Sequence, residues 1–232
     1  MSSPETKPLR TFGRRVGRPL SARQQSLVEN LLPRLRVAIE EGAEIALDTL
    51  LPEATEVWLE IGFGGGEHLA GQAAQHPEVG FIGCEPFIDG VAKLLTAIEE
   101  EGISNIRLHD SDAREVIAAL PDASISRVFI LFPDPWPKAR HHKRRLLQPD
   151  FLDALARVLK PGAQARFATD VRSYADHALE VFLSDPRYDW QAQRADDWRV
   201  APTDHLTTRY ESKHLGDIAP VWFDFTFAPE HF

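Results

Sequence analysis

Short apolar segments alternate with amphipathic segments between Val57 and Leu183, and this alternation constrains the fold more than any other feature. The apolar segments predict buried strands. The amphipathic segments predict helices, because their apolar residues recur every three or four positions. Strands and helices that alternate over short connections form a parallel sheet with helices on both faces. The predicted strands cover residues 57–61, 80–84, 106–109, 127–132 and 165–168, and the predicted helices cover residues 67–75, 88–100, 113–120, 151–159 and 173–183.

The chain after Leu183 follows a different pattern. A strand over 188–193 and a closing strand over 221–227 flank a polar stretch. This closing pair leaves no room for an ordinary crossover helix, so we expect an antiparallel edge. The expected fold is α/β, a mostly parallel seven-stranded sheet with one antiparallel edge and helices on both faces.

The N-terminal part of the chain is strongly basic. Residues 1–36 hold eight Lys/Arg and two acids, whereas the whole chain has a net charge of −9. Ser21 predicts the N-cap of a first helix that is interrupted near Pro33. We expect a basic N-terminal arm and first helix over 1–36, followed by a single domain over 37–232. An acidic protein of this kind can still present a positive face to a polyanion.

The composition excludes several classes of protein. The single cysteine, Cys84, allows no intrachain disulfide and suits a reducing compartment. No apolar run approaches the roughly 18–20 residues of a membrane span, and the N-terminus lacks the apolar region of a signal peptide. We therefore expect a soluble cytoplasmic protein that does not bind a membrane.

A glycine-rich turn follows the first predicted strand, in the segment EIGFGGG at 60–66. Gly62 and Gly64 permit a tight turn and the close approach of a ligand. A dinucleotide fingerprint requires a glycine where this chain has Glu67. A carboxylate there would repel a pyrophosphate, which disfavours a nicotinamide-dependent oxidoreductase and favours a ligand without phosphates. Glu60 could face an ammonium group of that ligand.

Further acids lie where the second, third and fourth predicted strands end. Glu85 is placed to accept hydrogen bonds from ribose hydroxyls. Asp112 could meet an adenine edge, cap the next helix, or do both. These acids suit a cationic nucleoside with an amino-acid tail, such as S-adenosylmethionine. Asp134 follows the fourth strand, held between Pro133 and Pro135, which fix its backbone.

The segment FPDPWPKARHHKRR at 132–145 joins this acid to a basic run. With EIGFGGG at 60–66, FATD at 167–170 and TRYE at 208–211, it resembles the bacterial tRNA (guanine-N7)-methyltransferase family over most of the chain. The resemblance implies a Rossmann-like S-adenosylmethionine-dependent methyltransferase fold. It also implies methylation of a guanine in the tRNA variable loop, at tRNA position 46.

The resemblance also implies roles for particular residues, with no metal and with a monomer or homodimer as the state of the protein. Asp134 would be catalytic. The cofactor would be bound by Glu60, Gly62, Gly64, Glu85, Asp112 and Asp134. The substrate would be bound by Lys138, Asp170, Thr208, Arg209, Tyr210 and Glu211. The RNA would be contacted by Arg140, His141, His142, Lys143, Arg144 and Arg145.

Guanine N7 carries a lone pair and no proton, so methyl transfer to it needs alignment and no general base. Asp134 would stabilise the positive charge that the purine acquires. Asp170 and Glu211 could accept hydrogen bonds from guanine N1–H and N2–H₂, and Trp136 or Tyr210 could stack on the extruded base. Trp136 could equally belong to the core.

The alternative functions are a methyltransferase for another RNA, a protein or a small molecule, and an RNA-binding relative without catalysis. A methyltransferase for a protein or a small molecule leaves the basic run and the TRYE segment without a role. The RNA-binding relative leaves the acids at the strand ends, such as Asp134, without one.

Overall fold

The structure is a computed structural model that describes Gly17 and residues 19–229. The predicted arm through Val16, together with Arg18, lies outside the described residues. The helices within the described part are α1 Ala22–Asn30, α2 Leu32–Leu35, α3 Leu47–Leu50, α4 Glu67–Gln75, α5 Ile88–Glu101, α6 Ala113–Ala119, α7 Pro149–Val158, α8 Arg172–Leu183 and α9 Asp196–Arg199. The strands are β1 Glu56–Ile61, β2 Val79–Cys84, β3 Ile106–His109, β4 Ile125–Leu131, β5 Leu159–Thr169, β6 Tyr188–Trp190 and β7 Val221–Phe227.

Among the described residues these strands form one seven-stranded sheet in the order β3-β2-β1-β4-β5-β7-β6. The pairs from β3 through β5 are parallel, and β7 is antiparallel to both β5 and β6. The predicted fold class and antiparallel edge are therefore confirmed. β6 is shorter than the predicted strand over 188–193, because its pairing with β7 extends only from Tyr188 to Trp190.

The sheet separates two layers of core. One face packs against α6, α7 and α8 through residues such as Val116, Leu155 and Phe182. The other face packs against α1, α4 and α5 through residues such as Leu69 and Leu94. Each of these side chains is fully or almost fully buried, and burial of a large apolar side chain contributes roughly 1.5–3 kcal/mol. Both faces of the sheet are thus covered, and the ends of its strands remain for a site.

The first helix is joined to the main body of the structure. Ser21 caps α1 with the predicted geometry, and the side chain of Gln24 completes a capping box. Arg23 forms ion pairs with Glu99 and Glu100 on α5. Because α1 packs on α5, its inner residues belong to the same core as the sheet. The division of the chain at residue 36 stays a proposal.

No helix in the described part of the chain is both long and apolar enough to cross a membrane.

Candidate active site at the carboxyl edge of the sheet

The parallel register brings the ends of five strands to one edge of the sheet. Ile61 lies beside Cys84, and Cys84 lies beside His109. On the other side of β1, Leu131 at the end of β4 lies beside Ala168. Because the carboxyl ends of the parallel strands coincide, the residues that follow them collect along this edge. They include the predicted residues Gly62, Gly64, Glu85, Asp112, Asp134 and Asp170.

The glycine turn leaves room for a ligand. Gly62 and Gly64 have φ angles of 74° and 56°, which favour glycine. A Cβ atom added at either position would meet nothing within 4 Å. The Glu85 carboxylate accepts hydrogen bonds from the backbone N–H groups of Gly64 (2.8 Å) and Phe87 (2.9 Å). It therefore ties the end of β2 to this turn.

The pKa of the Glu85 carboxyl is shifted from its ordinary value. Burial raises the pKa of its carboxyl, the two backbone hydrogen bonds oppose that rise, and the negative charge of Asp134 adds to it. The two acids therefore repel each other across the site. A positively charged ligand bound near both would relieve this repulsion.

Asp112 caps α6, as one of its two predicted roles requires. Its carboxylate accepts a hydrogen bond from the backbone N–H of Arg114 and two from the Arg114 guanidinium, at 2.9 and 2.7 Å. The side chain is buried. The contact with an adenine edge stays a prediction.

Glu60 is placed differently from the other acids. It is the penultimate residue of β1, and it is only 3% exposed. One of its carboxylate oxygens lies 2.8 Å from Nδ1 of His68, at the start of α4. Glu60 thus faces α4 beneath the glycine turn, and its predicted contact with a ligand ammonium group stays a prediction.

The turn that carries Asp134 is strained. Phe132 and Trp136 are non-glycine residues with φ angles of 50° and 43°, and such a conformation costs roughly 1–3 kcal/mol per residue. The backbone N–H of Phe132 donates to the carbonyl of Ala168, and its ring lies 5.5 Å from that of Tyr210. Asp134 is exposed, but partial desolvation still raises the pKa of its carboxyl above the usual value.

Arg145 fixes the turn that carries Asp134 through contacts on its buried side. Its guanidinium donates to the Pro135 carbonyl (2.9 Å) and to the carbonyl and hydroxyl of Ser173 on α8. It also lies 4.8 Å from the centre of the Tyr174 ring. Because Arg145 is 2% exposed and faces inward, a direct contact with RNA does not fit its geometry. We replace that prediction with a positioning role on the turn.

The rest of the basic run forms a short 3₁₀-helix over Ala139–Arg144. Arg144 and His141 pack against the half-buried Trp136 ring, at 5.2 and 6.1 Å between centres. Desolvation, followed by the charges of Arg144 and other neighbouring cations, lowers the pKa of His141. His142 is also half-buried. The exposed cations of this segment are Lys138, Arg140 and Lys143.

The TRYE segment meets Asp170 at the same edge. Asp170 is buried and accepts a hydrogen bond from the Tyr210 hydroxyl at 3.3 Å. Desolvation, together with the charge of Asp170, raises the pKa of Tyr210 to about 12, and the charge of Asp134 contributes. Asp134, Asp170 and Tyr210 are therefore close enough to share one electrostatic environment. Arg209 is exposed beside them.

Glu211 is engaged inside its own segment. Its two carboxylate oxygens lie 2.9 and 3.0 Å from Nε2 of His205, and one of them accepts the Thr208 backbone N–H at 2.7 Å. Burial tends to raise the pKa of Glu211, but the hydrogen bonds from His205 and Thr208 outweigh it and lower the pKa. Glu211 and Thr208 thus shape the turn that presents Arg209 and Tyr210.

The anchoring of this segment was missed from the sequence, which showed only a polar stretch. The Asp204 carboxylate binds Arg127 at 2.6 Å and Arg166 at 2.7 Å. The backbone carbonyl of Asp204 accepts a hydrogen bond from the Gln72 side chain. Two arginines inside predicted strands were the available signal, because a buried guanidinium requires an acid partner. The sequence did not show which acid it would be.

Two cavities among the described residues lie away from this edge, where these residues also form no metal cluster. The part of the chain that the structure describes contains no group of three or more His, Cys, Asp or Glu side chains that could hold an ion. Cavities of about 330 and 440 Å³ lie between α7 and α8 and at the opposite ends of β1, β4 and β5. Neither of these two cavities is lined by the acids of the site.

Solved structures share the fold at low sequence identity. The crystal structure of the 16S rRNA methyltransferase KamB matches with a TM-score of 0.58 at 18% identity, over 84% of this chain and 99% of that one. The structure of TrmN from Thermus thermophilus matches with a TM-score of 0.52 at 17% identity, over 78% of this chain and 47% of that one. Both likenesses concern the fold alone.

Sequence comparisons are more specific. Residues 54–222 match the family model described as "Putative methyltransferase". A tRNA (guanine-N(7)-)-methyltransferase of Hyphomonas neptunium is 57% identical over 94% of this chain and 99% of its own length. Relatives with the same name from Caulobacter vibrioides and Rhodospirillum rubrum are 55% and 47% identical, over 94% and 93% of this chain and 95% and 86% of their own lengths. This chain therefore belongs to the tRNA (guanine-N(7)-)-methyltransferase family.

Proposed function

We propose that this protein transfers the methyl group of S-adenosylmethionine to N7 of a guanine in the variable loop of tRNA. The observation that carries the proposal is the single edge where the open glycine turn and Glu85 meet Asp134, Asp170 and Tyr210. The names of the relatives support the substrate. A 16S rRNA (adenine(1408)-N(1))-methyltransferase with a TM-score of 0.50 was crystallised with S-adenosylmethionine, and that complex supports the cofactor.

The residues of the edge fit this cofactor. A Cβ at Gly62 or Gly64 would project into open space, so a ligand can approach the backbone there. Glu67 begins α4 as an exposed carboxylate close to Gly65, which disfavours a phosphate at that helix terminus. When bound, S-adenosylmethionine supplies an activated methyl group on a positively charged sulfur. Glu85 would accept hydrogen bonds from its ribose.

Asp134 would act through its charge. Its carboxyl is already partly desolvated, so its attraction for a nearby cation is stronger than it would be in bulk water. Methylation makes the guanine ring cationic, and a carboxylate beside the ring favours that state over the neutral one. No proton leaves N7, so Asp134 is assigned as an electrostatic stabiliser.

Asp170 and Tyr210 would recognise the guanine. A carboxylate accepts from N1–H and N2–H₂ of guanine, an edge that adenine lacks. Asp170 is buried beside the Tyr210 hydroxyl at the mouth of the site. Both oxygens of Glu211 already contact His205 or Thr208, so Glu211 would support the segment and leave base recognition to Asp170.

The exposed cations Lys138, Arg140 and Lys143 would bind the phosphate backbone next to this mouth. A guanine paired within folded tRNA would have to be extruded to reach Asp134. Metal-free chemistry, a cytoplasmic location and a monomeric or homodimeric state are proposed with this function.

The test is methyl transfer from labelled S-adenosylmethionine to an unmodified tRNA transcript, with nucleoside mass spectrometry of the product. We expect 7-methylguanosine from the wild-type protein. Asp134→Asn should lower kcat by about 10²–10³-fold, the range seen when an electrostatic stabiliser is removed. Asp176→Asn, an exposed acid on α8, is the matched control and should retain the wild-type rate.

Other outcomes separate the alternatives. Label in a different nucleoside, or only in protein, would reject the assigned substrate. Tight tRNA binding without transfer would identify an RNA-binding relative that lacks catalysis. A near-normal rate for Asp134→Asn would reject the role of that carboxylate.

A further inference from the structure

Two histidines connect the cofactor side of the site to the substrate side. His68 binds Glu60, the acid just before the glycine turn, at 2.8 Å. His205 binds Glu211, the acid of the TRYE segment, at 2.9 and 3.0 Å. The two imidazole rings lie 5.6 Å apart between centroids, tilted by 32°. A continuous series of contacts therefore runs from Glu60 to Glu211.

The hydrogen bonds determine how each ring is used. A carboxylate only accepts, so Nδ1 of His68 and Nε2 of His205 must donate. The opposite nitrogens, Nε2 of His68 and Nδ1 of His205, are buried without a hydrogen-bond partner. Each ring thus has one polar contact, and that contact is an acid of one of the two motifs.

The rings are enclosed, so they cannot move independently. The side chains of His68 and His205 are 0% and 1% exposed. The His68 ring packs 4.7 Å from Phe129, and the His205 ring packs 5.5 Å from Trp222. In an interior at this packing density, a displaced side chain pushes its neighbours because there is no free volume to absorb the movement.

One face of α4 makes three successive contacts with residues 200–211, which we call the substrate segment. His68 meets His205, the Gln72 side chain donates to the Asp204 carbonyl at 2.6 Å, and the helix approaches Leu206 at Gly71. A Cβ at Gly71 would lie 2.3 Å from a methyl group of Leu206. The contacts come from one helical face, since positions i, i+3 and i+4 lie together. α4 begins at Glu67, directly after the glycine turn, and Gly66 is its N-cap.

We propose that His68 and His205 are positioning residues that couple cofactor binding to the substrate segment. A ligand that moves the glycine turn or Glu60 moves His68, and the packed His205 ring passes that movement to Glu211 and the Thr208 backbone. The inference rests on the proposed function, because it requires that both sides of the site be used. By linkage, tRNA must then change cofactor affinity by the same factor as cofactor changes tRNA affinity.

The experiment measures the coupling factor as the Kd of S-adenosylhomocysteine without tRNA divided by its Kd with saturating unmodified tRNA. This product of the cofactor prevents turnover during the titration. We expect a factor of at least about fivefold for the wild-type protein, at the low end of typical allosteric coupling. Formation of 7-methylguanosine is measured in parallel.

Two variants at one position separate coupling from simple support. His205→Gln can still donate to Glu211 but loses the ring contact with His68, so the Kd of tRNA measured without cofactor should stay near wild type while the coupling factor falls to about 1. His205→Phe keeps a ring but loses the donor, so this Kd of tRNA should rise. His76→Gln, at the far end of α4, is the matched control and should keep the wild-type factor.

An undiminished factor in His205→Gln, or a wild-type factor near 1, would overturn the inference and leave the proposed function standing. If the wild-type protein forms no 7-methylguanosine, the proposed function fails and the inference fails with it. Should His205→Gln not fold, His68→Gln removes the ring contact from the α4 side and can still donate to Glu60. A coupling factor unchanged by that variant would likewise overturn the inference.

Discussion

At the scale of single residues, burial divides one basic run into exposed cations and an enclosed one. Lys138, Arg140 and Lys143 are exposed, whereas the Arg145 guanidinium is enclosed by three oxygen acceptors and a tyrosine ring. Adjacent cations with the same charge therefore serve different interactions. The inward-facing Arg145 holds the turn that carries Asp134, through its hydrogen bond to the Pro135 carbonyl.

This division predicts opposite phenotypes for two arginine substitutions. Arg145→Ala leaves buried acceptors unpaired and should lower the free energy of unfolding by about 2 kcal/mol. It should also lower kcat, because the Pro135 carbonyl loses its donor, while the salt dependence of tRNA binding stays unchanged. Arg140→Ala should keep the wild-type stability and reduce the slope of log Kd against log salt by roughly 0.7–0.9.

Urea unfolding and tRNA binding over a salt series measure both effects. Arg145→Lys keeps a charge without the planar guanidinium and serves as the control for charge alone. A reduced salt slope for Arg145→Ala at normal stability would restore direct RNA contact to this residue.

At the scale of elements, most of the substrate segment has no regular secondary structure and is held in place by side-chain contacts. Residues 200–208 contain no helix or strand, yet Asp204 and His205 attach them to the sheet and to α4. Burial tends to raise the pKa of Asp204, but the hydrogen bond from Arg166 and the charge of Arg127 outweigh it. The pKa falls to about 2. The ion pairs of Asp204 thus fix the position of this segment, as backbone hydrogen bonds fix the position of a strand in a sheet.

Asp204→Asn should therefore release this segment while the sheet stays folded. We expect faster hydrogen exchange over residues 203–211 and a higher KM for tRNA, because the arginines lose their shared acid. Asp196→Asn, an exposed acid on α9, is the control. Equal exchange rates in the two variants would show that the remaining contacts hold the segment.

The lowered pKa of Asp204 gives the attachment of residues 200–208 to the sheet a defined pH dependence. The stabilisation from Asp204 is complete above the ordinary carboxyl pKa of about 4 and is lost as the pH falls toward about 2. The difference in unfolding free energy between wild type and Asp204→Asn should shrink over that interval. A constant difference from pH 5 to pH 2 would contradict the ion-pair account.

At the scale of the whole molecule, a protein with a net charge of −9 keeps half of its 26 Lys/Arg in two segments, residues 1–36 and 138–145. Some of them are neutralised internally, since Arg23 pairs with two glutamates of α5 and Arg36 pairs with Asp110. The exposed part of the basic run lies beside the acids of the active edge. A polyanion would therefore bind to the exposed cations, next to acids that attract a cation. The two kinds of ligand would use separate side chains.

Removal of residues 1–16 tests the contribution of the N-terminal segment, which carries four Lys/Arg. If all four contact phosphates, the slope of log Kd against log salt should fall by about 3. The affinity for S-adenosylhomocysteine in the absence of tRNA should not change. An unaltered slope would confine the RNA contacts to the rest of the chain.

Local pattern was enough to predict the five parallel strands, the five helices between Glu67 and Leu183, the antiparallel edge and the acids at the strand ends. It placed the start of β5 at residue 165 instead of Leu159, and it missed the short helices α3 and α9. Periodicity, glycines and prolines act on neighbouring residues, so Gly62, Gly64 and Asp134 could be placed before any contact was known. The Ser21 cap was likewise readable from its immediate neighbours. Such features depend on separations of a few positions, which the sequence displays directly.

The sequence does not show the direction in which a polar side chain points, because that direction depends on partners far away in the chain. Glu60 could be placed near the glycine turn, but its pairing with His68 follows from the packing of α4. Arg145 belonged to a basic run, and its inward orientation follows from the approach of α8. Asp204 and His205 lay in an unremarked polar stretch. Burial of a charge selects its partner in three dimensions, and that selection is what the folded chain adds.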